Sequence, residues 1–243
     1  MDELVSSNVD EIGDFWAKAV YPFVTPIVQA DRHRRPTPIG SGVVVSYREK
    51  QLLLTACHVT SSACASDPGG ALYGFVPEQW EVEGTNHHVD DPFDLSVTEL
   101  PPAPRRCLRL PRHLAPEIRP GELCLILGFP ARSKSWEFNY FQHTLRPAPL
   151  SYLARVFRSE PGRFSVRFSS KRTYRNGKKL PQQAKLNGIS GGGAFVLRDD
   201  APRLAGIVIE YHSNTAEIIC TDSLAIWTML KQLDPLLTSS ART

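Results

Sequence analysis

Short runs of apolar and β-branched residues, separated by polar turns, recur along most of the chain. Runs of this kind are typical of β-strands. The strands predicted in the first half are Phe23–Val28, Gly40–Tyr47, Leu52–Ala56, Leu72–Val76, Trp80–Val82 and Leu95–Leu100. Those predicted in the second half are Leu123–Leu127, Tyr152–Phe157, Phe164–Phe168, Ala194–Leu197, Leu204–Ile209 and Ile218–Cys220. The pattern therefore predicts an all-β fold.

Apolar positions take up helical spacing near the two ends of the chain. Residues 8–20 form one such segment, with Asn8 and Glu11 placed to cap its start, and its apolar positions are Val9, Ile12, Trp16 and Val20. Asp222 is placed to cap a final helix, which Pro235 is expected to end. The apolar stripe of this second helix is Leu224, Trp227, Leu230 and Leu233.

A proline-rich stretch over residues 101–120 divides the two sets of strands. Its prolines break any regular element, so we expect a boundary there. They are Pro101, Pro102, Pro104, Pro111, Pro116 and Pro120. The predicted organisation is a helical extension over residues 1–21, a β-rich unit over 22–110, and a second β-rich unit with a terminal helix over 118–243.

Composition and charge are those of an ordinary globular protein, with 42% hydrophobic and 22% charged residues. The net charge of +3 is too small to indicate a nucleic-acid partner. No apolar run approaches the ~20 residues that span a membrane, and the acidic start lacks a secretory signal pattern. Five cysteines, an odd and unpatterned set, suit a reducing compartment. We therefore expect a cytoplasmic protein without a membrane partner.

One glycine-rich stretch carries candidate chemistry. Ser190 lies between Gly188 and the run Gly191 to Gly193, and an apolar strand follows. Glycines permit a turn that presents the serine hydroxyl beside free N–H groups, as nucleophilic attack on a carbonyl requires. Taken alone, the stretch is equally compatible with a glycine-rich hairpin turn.

A histidine and an aspartate upstream supply the other groups that such a serine needs. His58 ends the apolar strand Leu52–Ala56, where an imidazole can act as a general base or be a structural histidine. Asp94 precedes an alternating strand and has apolar neighbours, so its carboxylate should be partly buried and require a partner. Asp90 and Asp91 are alternatives in a more polar run.

The order of His58, Asp94 and the Gly188-Ile-Ser190-Gly-Gly run resembles the chymotrypsin/trypsin-like serine proteases over about residues 22–233. The resemblance is strongest to compact bacterial trypsin-like peptidases, including the protease domain of the HtrA group. Other segments that carry it are Gly40-Ser-Gly-Val-Val-Val, Leu54-Thr-Ala-Cys-His-Val, Asp94-Leu-Ser-Val, Leu127-Gly-Phe-Pro and Leu204-Ala-Gly-Ile-Val. It implies two six-stranded Greek-key β-barrels, here with added N-terminal and C-terminal helices.

The resemblance also implies a serine endopeptidase that cleaves a protein or peptide substrate. Ser190 would be the nucleophile, His58 the general base and Asp94 the group that orients the histidine. The backbone N–H groups of Gly188 and Ser190 would form the oxyanion hole. The residues implied in substrate binding are Ala184, Lys185, Ile209, Glu210 and Tyr211. No cofactor and no metal ion is expected. The alternative is a catalytically idle trypsin-fold protein that acts as a binding or scaffold module.

Three departures from the family pattern carry information. Ile189 stands where secreted members have an aspartate that pairs with a newly cut N-terminus, so we expect no activation by N-terminal cleavage. Val59 replaces the usual cysteine after the histidine, which again suits a reducing cytoplasm. Gly193 and Ala194 replace a frequent proline, which suggests a loop that a substrate or partner could order.

Specificity and partners stay open at this level. Ala184 replaces the aspartate of trypsin-like pockets, while Lys185 and Glu210 would favour opposite substrate charges. Residues 146–185 contain eleven Lys or Arg against Glu160, which fits solvated strand faces and a loop, an acidic protein partner, or a nucleic acid. His87 and His88 match no zinc pattern, and we expect a surface loop there. Similar small peptidases are encoded in bacterial regulatory or antiviral-defence operons.

Overall fold

The first described element is a helix that packs on the β-structure. The computed structural model describes residues 12–30, 36–66, 71–74, 80–81, 87–103, 105–131, 137–139, 144–146, 149–169, 173–175, 178–179, 186–198 and 201–239. Helix α1 covers residues 12–20, and a 3-10 turn, Tyr21–Phe23, follows it. Trp16 and Val20 are buried in the core, as expected, but Ile12 is 39% exposed. The predicted cap at Asn8 and Glu11 lies outside the described residues.

The first sheet has eight described strands, and one short helix follows its third strand. Its strands run in the order β5-β4-β1-β2-β3-β7-β6, and β8 pairs in parallel with β2. The helix is α2 (Cys57–Ser66), directly after β3. The strand bounds are β1 Val24–Ala30, β2 Pro36–Tyr47, β3 Lys50–Ala56, β4 Ala71–Gly74, β5 Trp80–Glu81, β6 His87–Asp90, β7 Leu95–Leu100 and β8 Leu108–Arg109.

The continuous apolar runs of β2 and β3 are explained by burial on both faces of this sheet. Successive side chains of a strand point to opposite faces. Val43 and Val45 of β2 join the large core cluster that the two sheets share, whereas Val44 joins a smaller cluster on the other face. Leu53 behaves in the same way on β3. A strand covered on both sides needs apolar residues at consecutive positions.

The second sheet includes a closed barrel of six strands in the order β13-β18-β17-β16-β9-β12, completed by pairing of β12 with β13. Strands β14 and β15 extend it from β12, and β10 pairs with β11 separately. The strand bounds are β9 Leu123–Gly128, β10 Glu137–Asn139, β11 Thr144–Arg146, β12 Leu150–Glu160, β13 Arg163–Arg167, β14 Thr173–Arg175, β15 Lys178–Lys179, β16 Gly193–Arg198, β17 Ala201–His212 and β18 Glu217–Asp222.

The last element is helix α3 (Ser223–Ser239), which starts as predicted and ends later than predicted. Asp222 accepts a hydrogen bond from the Ala225 N–H at 2.8 Å, so it caps the first turn. Pro235 lies inside the helix, and the prediction that it ends α3 was wrong. A proline inside a helix removes one backbone donor and its ring crowds the carbonyl four residues earlier, so α3 continues past Pro235 at a cost. Of the predicted stripe, Leu230 and Leu233 are buried and Trp227 packs against the core, but Leu224 is 58% exposed; Ile226 and Met229 are buried as well.

Each of the twelve predicted strands overlaps a strand of the structure, so the all-β prediction is confirmed. The structure adds α2 and several short strands. His87–Asp90 is strand β6, paired with β7, so the expected surface loop there was wrong. The edge position of β6 explains the polar composition, since an edge strand has fewer neighbours to bury its side chains.

Candidate active site

His58 is held in the first turn of α2 by two hydrogen bonds to one carboxylate. Its Nδ1 lies 2.7 Å from Asp94 Oδ2, and its backbone N–H donates to Asp94 Oδ1 at 3.0 Å. The histidine side chain is 47% exposed and the aspartate side chain 26% exposed. The pair therefore fixes the ring orientation while leaving the other ring nitrogen accessible from solvent.

Asp94 itself sits on a constrained piece of backbone. It follows a 3-10 turn, Asp91–Phe93, and has φ of 50°, in the left-handed region that non-glycine residues seldom adopt. Its carbonyl accepts a hydrogen bond from the Cys57 N–H at 2.9 Å. Backbone and side chain of Asp94 thus both bind the start of α2, which offsets the cost of the unusual backbone conformation.

The turn before Asp94 is also bonded to the second barrel. Thr221 Oγ1 of β18 donates to the Phe93 carbonyl at 2.8 Å, and a guanidinium nitrogen of Arg163 donates to the Pro92 carbonyl at 2.6 Å. The Phe93 ring lies over Gly162, where an added Cβ would come within 2.1 Å of it. The position of Asp94 therefore depends on both halves of the molecule.

The turn that carries Ser190 requires its glycines. Gly188 and Gly191 have φ of +89° and +82°, values that favour glycine. A Cβ on Gly191 would lie 1.9 Å from the Ser41 carbonyl oxygen, and one on Gly188 would lie 2.2 Å from the Ala131 nitrogen. Close approach of two other backbone segments thus explains why glycine occupies these two positions.

Each carbonyl from residue 187 to residue 190 accepts a hydrogen bond, so the turn is fixed peptide by peptide. The donors, in order, are Ala131 N at 2.7 Å, Ser41 Oγ at 3.2 Å, Gly192 N at 2.8 Å and Ser41 N at 2.8 Å. In a trans peptide the N–H points opposite to the C=O. Among the described residues no acceptor faces the N–H of Gly188 or of Ser190, whereas the Ile189 N–H between them donates to Leu186.

These groups line one cleft of about 370 Å³. Its described lining residues are His58, Asp94, Leu186, Asn187, Gly188, Ile189, Ser190, Ile209, Glu210 and Tyr211. No hydrogen bond joins the Ser190 hydroxyl to the His58 ring within the described part of the chain. Such bonds are often long before substrate binds, so their formation on substrate binding is compatible with this arrangement.

The structure brings three of the five predicted substrate-binding residues to the cleft. Ile209 is buried and is the extra residue of a bulge in β17, while Glu210 and Tyr211 are exposed. The Tyr211 ring contacts Phe168 edge-on at 5.5 Å, which fixes this wall of the cleft. The predicted pocket positions Ala184 and Lys185 lie outside the described residues.

The sequence analysis did not single out Ser41, which the structure places against the turn that carries Ser190. Ser41 is fully buried in β2, and its hydroxyl both donates to Gly188 and accepts from the Phe129 N–H at 2.8 Å. Ser41 lies inside the predicted strand Gly40–Tyr47, where its neighbours along the strand are largely apolar. A polar side chain in such a strand needs a buried partner, and that requirement was the available signal.

Cys57, Cys107, Cys124 and Cys220, the cysteines whose side chains the structure describes, are free thiols. Burial raises the pKa of Cys124 to about 12 and that of Cys220 well above its usual value. The described residues contain no group of three or more His, Cys, Asp or Glu that could hold a metal ion. None of the described helices is long and apolar enough to cross a membrane.

Part of the basic region over residues 146–185 is visible on β12 and β13. Arg158 and Arg167 stack on the Phe157 ring, at 4.9 Å and 3.8 Å from its centroid, and Arg158 lies 3.8 Å from Glu217. These contacts account for two of the arginines as components of the barrel surface. An acidic protein partner at this region stays a prediction.

Comparison with known proteins identifies the family. A model of the trypsin-like peptidase domain matches residues 40–207, which is more than half of the chain. Among solved structures, human heparin binding protein superposes with a TM-score of 0.55 at 13% identity, covering 87% of this chain and 91% of that one. No curated protein matches the sequence significantly. The structural match confirms the predicted chymotrypsin-like double-barrel fold. The chain belongs to the family of trypsin-like peptidase domains.

Proposed function

We propose that this protein is a serine endopeptidase that uses Ser190, His58 and Asp94 as its catalytic triad. The observation that carries the proposal is the doubly bonded His58–Asp94 pair, which faces the same cleft as Ser190. With Nδ1–H donated to Asp94, the other ring nitrogen of His58 is left as a proton acceptor. That is the tautomer which a general base for a serine hydroxyl requires.

The reaction follows from these positions. Ser190 Oγ forms a bond to the scissile carbonyl carbon while its proton moves to His58 Nε2. The oxyanion of the tetrahedral intermediate accepts hydrogen bonds from the N–H groups of Gly188 and Ser190. His58 then gives its proton to the amide nitrogen as the C–N bond breaks. Water attacks the acyl-enzyme by the same route, and its proton returns through His58 to Ser190.

The substrate backbone would dock along Ile209–Tyr211. Strand β17 pairs with β16 as far as Ile207, and the backbone of Val208 still bonds Gly191 and Gly192. From Ile209 onward, β18 is the only neighbouring strand among those described. This edge borders the cleft, so an extended peptide can add to it as a further strand. The proposed substrate is accordingly a protein or peptide in extended conformation.

Activity without N-terminal processing is part of the proposal. Ile189 is 2% exposed and packs in the core of the second barrel, and its side chain has no charge to pair with a new terminus. The hydrogen bonds on residues 187–190 support a turn that is ordered at rest rather than gated by a partner. If trimming of the N-terminus proved necessary for activity, this part of the proposal would be wrong.

An intracellular location is also proposed, because Cys57, Cys107, Cys124 and Cys220 are free and Val59 follows the histidine where a disulfide would otherwise form. Measurement of free thiols in protein isolated from its own host checks this. Recovery of the protein with its cysteines in disulfides would contradict it.

Labelling with a fluorophosphonate probe tests the enzyme proposal. The wild-type protein should be labelled at Ser190 and should cleave a peptide library, whereas Ser190→Ala should do neither. Ser61→Ala, on the exposed side of α2, is the matched control and should be labelled normally. A folded wild-type protein that neither labels nor cleaves, with or without its native partner, would instead support the alternative of an idle binding or scaffold module.

A further inference from the structure

The Ser41 side chain joins three separate segments of the molecule. It lies on β2 of the first sheet, yet its hydroxyl accepts from Phe129 N–H at the end of β9 and donates to the Gly188 carbonyl. Its backbone N–H donates to the Ser190 carbonyl at 2.8 Å, and its carbonyl accepts from the Thr55 hydroxyl at 2.6 Å. One residue therefore connects the first sheet, the second barrel and the turn that carries Ser190.

Strand β2, the end of β9 and the turn that carries Ser190 approach so closely that side chains cannot be added at the glycines between them. A Cβ on Gly128 would lie 2.7 Å from the Ile189 side chain and 3.1 Å from Ser41 Oγ. A Cβ on Gly40 would lie 3.1 Å from the Ser190 carbonyl oxygen. Ser41 is fully buried, so water cannot replace the bonds that its hydroxyl makes without rearrangement.

The hydrogen bond from the Ser41 hydroxyl to the Gly188 carbonyl acts on the peptide group between Gly188 and Ile189. Fixing the Gly188 carbonyl fixes the plane of the Gly188–Ile189 peptide, which lies between the two peptides whose N–H groups have no acceptor among the described residues. Of the four donors to residues 187–190, Ser41 supplies two, and its hydroxyl is the only side chain among them. The side chain of Ile189 is apolar and buried, so it cannot hold the turn by an ion pair.

We infer that Ser41 is a positioning residue that holds the oxyanion turn in its working conformation, an inference that rests on the proposed peptidase function. The Ser41 hydroxyl takes the place of a charge on residue 189, because it bonds the turn from the neighbouring barrel. It touches neither substrate nor the reacting atoms. Its effect on the reaction comes through the orientation of the Gly188 and Ser190 N–H groups.

Ser41→Ala tests this inference. The rate of fluorophosphonate labelling and kcat should fall about threefold to tenfold, since one hydrogen bond that orders the oxyanion donors is lost. KM should change little, because the docking edge Ile209–Tyr211 is untouched. Ser41→Thr keeps a hydroxyl and should recover part of kcat. Thr25→Val is the matched control, since Thr25 is a buried hydroxyl on the adjacent strand that donates to Pro26 at 3.2 Å. It should lower stability without lowering kcat.

Amide hydrogen exchange gives a readout that does not require activity. In Ser41→Ala, exchange over residues 186–193 should quicken relative to both wild type and Thr25→Val. Unchanged exchange together with unchanged labelling would overturn the role of Ser41. If the wild-type protein does not label at all, the peptidase proposal fails, while faster exchange in Ser41→Ala would still establish that Ser41 orders the turn. If Ser41→Ala does not fold, the exchange pattern and kcat of Ser41→Thr decide. In the wild-type protein, exchange over residues 186–193 that is as fast as at the rest of the surface would overturn the inference.

Discussion

Thr221 binds Phe93 across the junction of the two barrels, its hydroxyl donating to the carbonyl of the residue just before Asp94 at 2.8 Å. Thr221 is fully buried, so loss of this donor leaves the carbonyl without a replacement from water. We expect Thr221→Val to destabilise the fold by about 1 kcal/mol. It should also lower kcat about threefold to tenfold, because Asp94 is then less well placed. Thr221→Ser retains the donor and should keep wild-type kcat, and equal loss in both variants would argue against this role.

Asp94→Asn should lower kcat by about 10³ to 10⁴ with little change in stability. The amide can still accept from the His58 backbone, but its NH2 group faces Nδ1 and favours the tautomer that places the proton on Nε2. Kinetics on a peptide substrate measure the loss. Asp90→Asn, in the neighbouring strand β6, is the control and should retain activity. A similar loss in both variants would mean that the effect is not specific to the triad.

Gly191→Ala should be far more damaging than Gly121→Ala, although both glycines have positive φ. Gly121 has φ of +88° and no atom within 4 Å of an added Cβ, so its substitution costs only backbone strain, about 1 kcal/mol. The same methyl on Gly191 would overlap the Ser41 carbonyl and the Thr55 hydroxyl. We expect a loss of about 3 kcal/mol or more in urea unfolding. Equal costs would show that the turn can move away from β2.

Stability should decline at alkaline pH because of the two buried thiols of the second barrel. Burial raises the pKa of Cys124 from 9.0 to about 12, so the folded state keeps its proton where the unfolded chain loses it. The stabilisation is complete below about pH 9 and is lost as pH rises toward about 12, at about 1.4 kcal/mol per pH unit for each such thiol. Unfolding free energies between pH 8 and 11 measure the slope. Cys124→Ala should reduce the slope, whatever it does to stability at pH 8, and an unchanged slope would contradict the assignment.

Much of the fold follows from local pattern, because strands buried on both faces leave long apolar runs such as Leu52–Ala56. The elements that were missed lack such a signal. Helix α2 is built from small and polar residues with little amphipathic pattern, and β6 has an edge position that permits His87 and His88. The one wrong member of the α3 stripe depends on how the first turn packs, and no local pattern separates exposed Leu224 from buried Ile226.

The candidate site divides in the same way. Residue type and order were enough to propose His58, Asp94 and Ser190, since each must carry a particular reactive group, and the structure brings all three to one cleft. The supports of that site come from far along the chain, as Ser41 lies 147 residues before Gly188, and they are recognisable only when the barrels are in contact. A lone polar residue in an apolar strand such as β2 signals that a buried partner is needed, but not which residue that partner is.

The apolar side chain at position 189 affects how the oxyanion turn should behave at alkaline pH. A turn held by an ion pair with an α-amino group loses its support as that amine deprotonates near pH 8. The side chain of Ile189 has nothing to titrate, and the hydroxyl of Ser41 does not ionise in this range. The oxyanion turn should therefore keep its shape through mildly alkaline pH, until the buried thiols weaken the barrel that carries it.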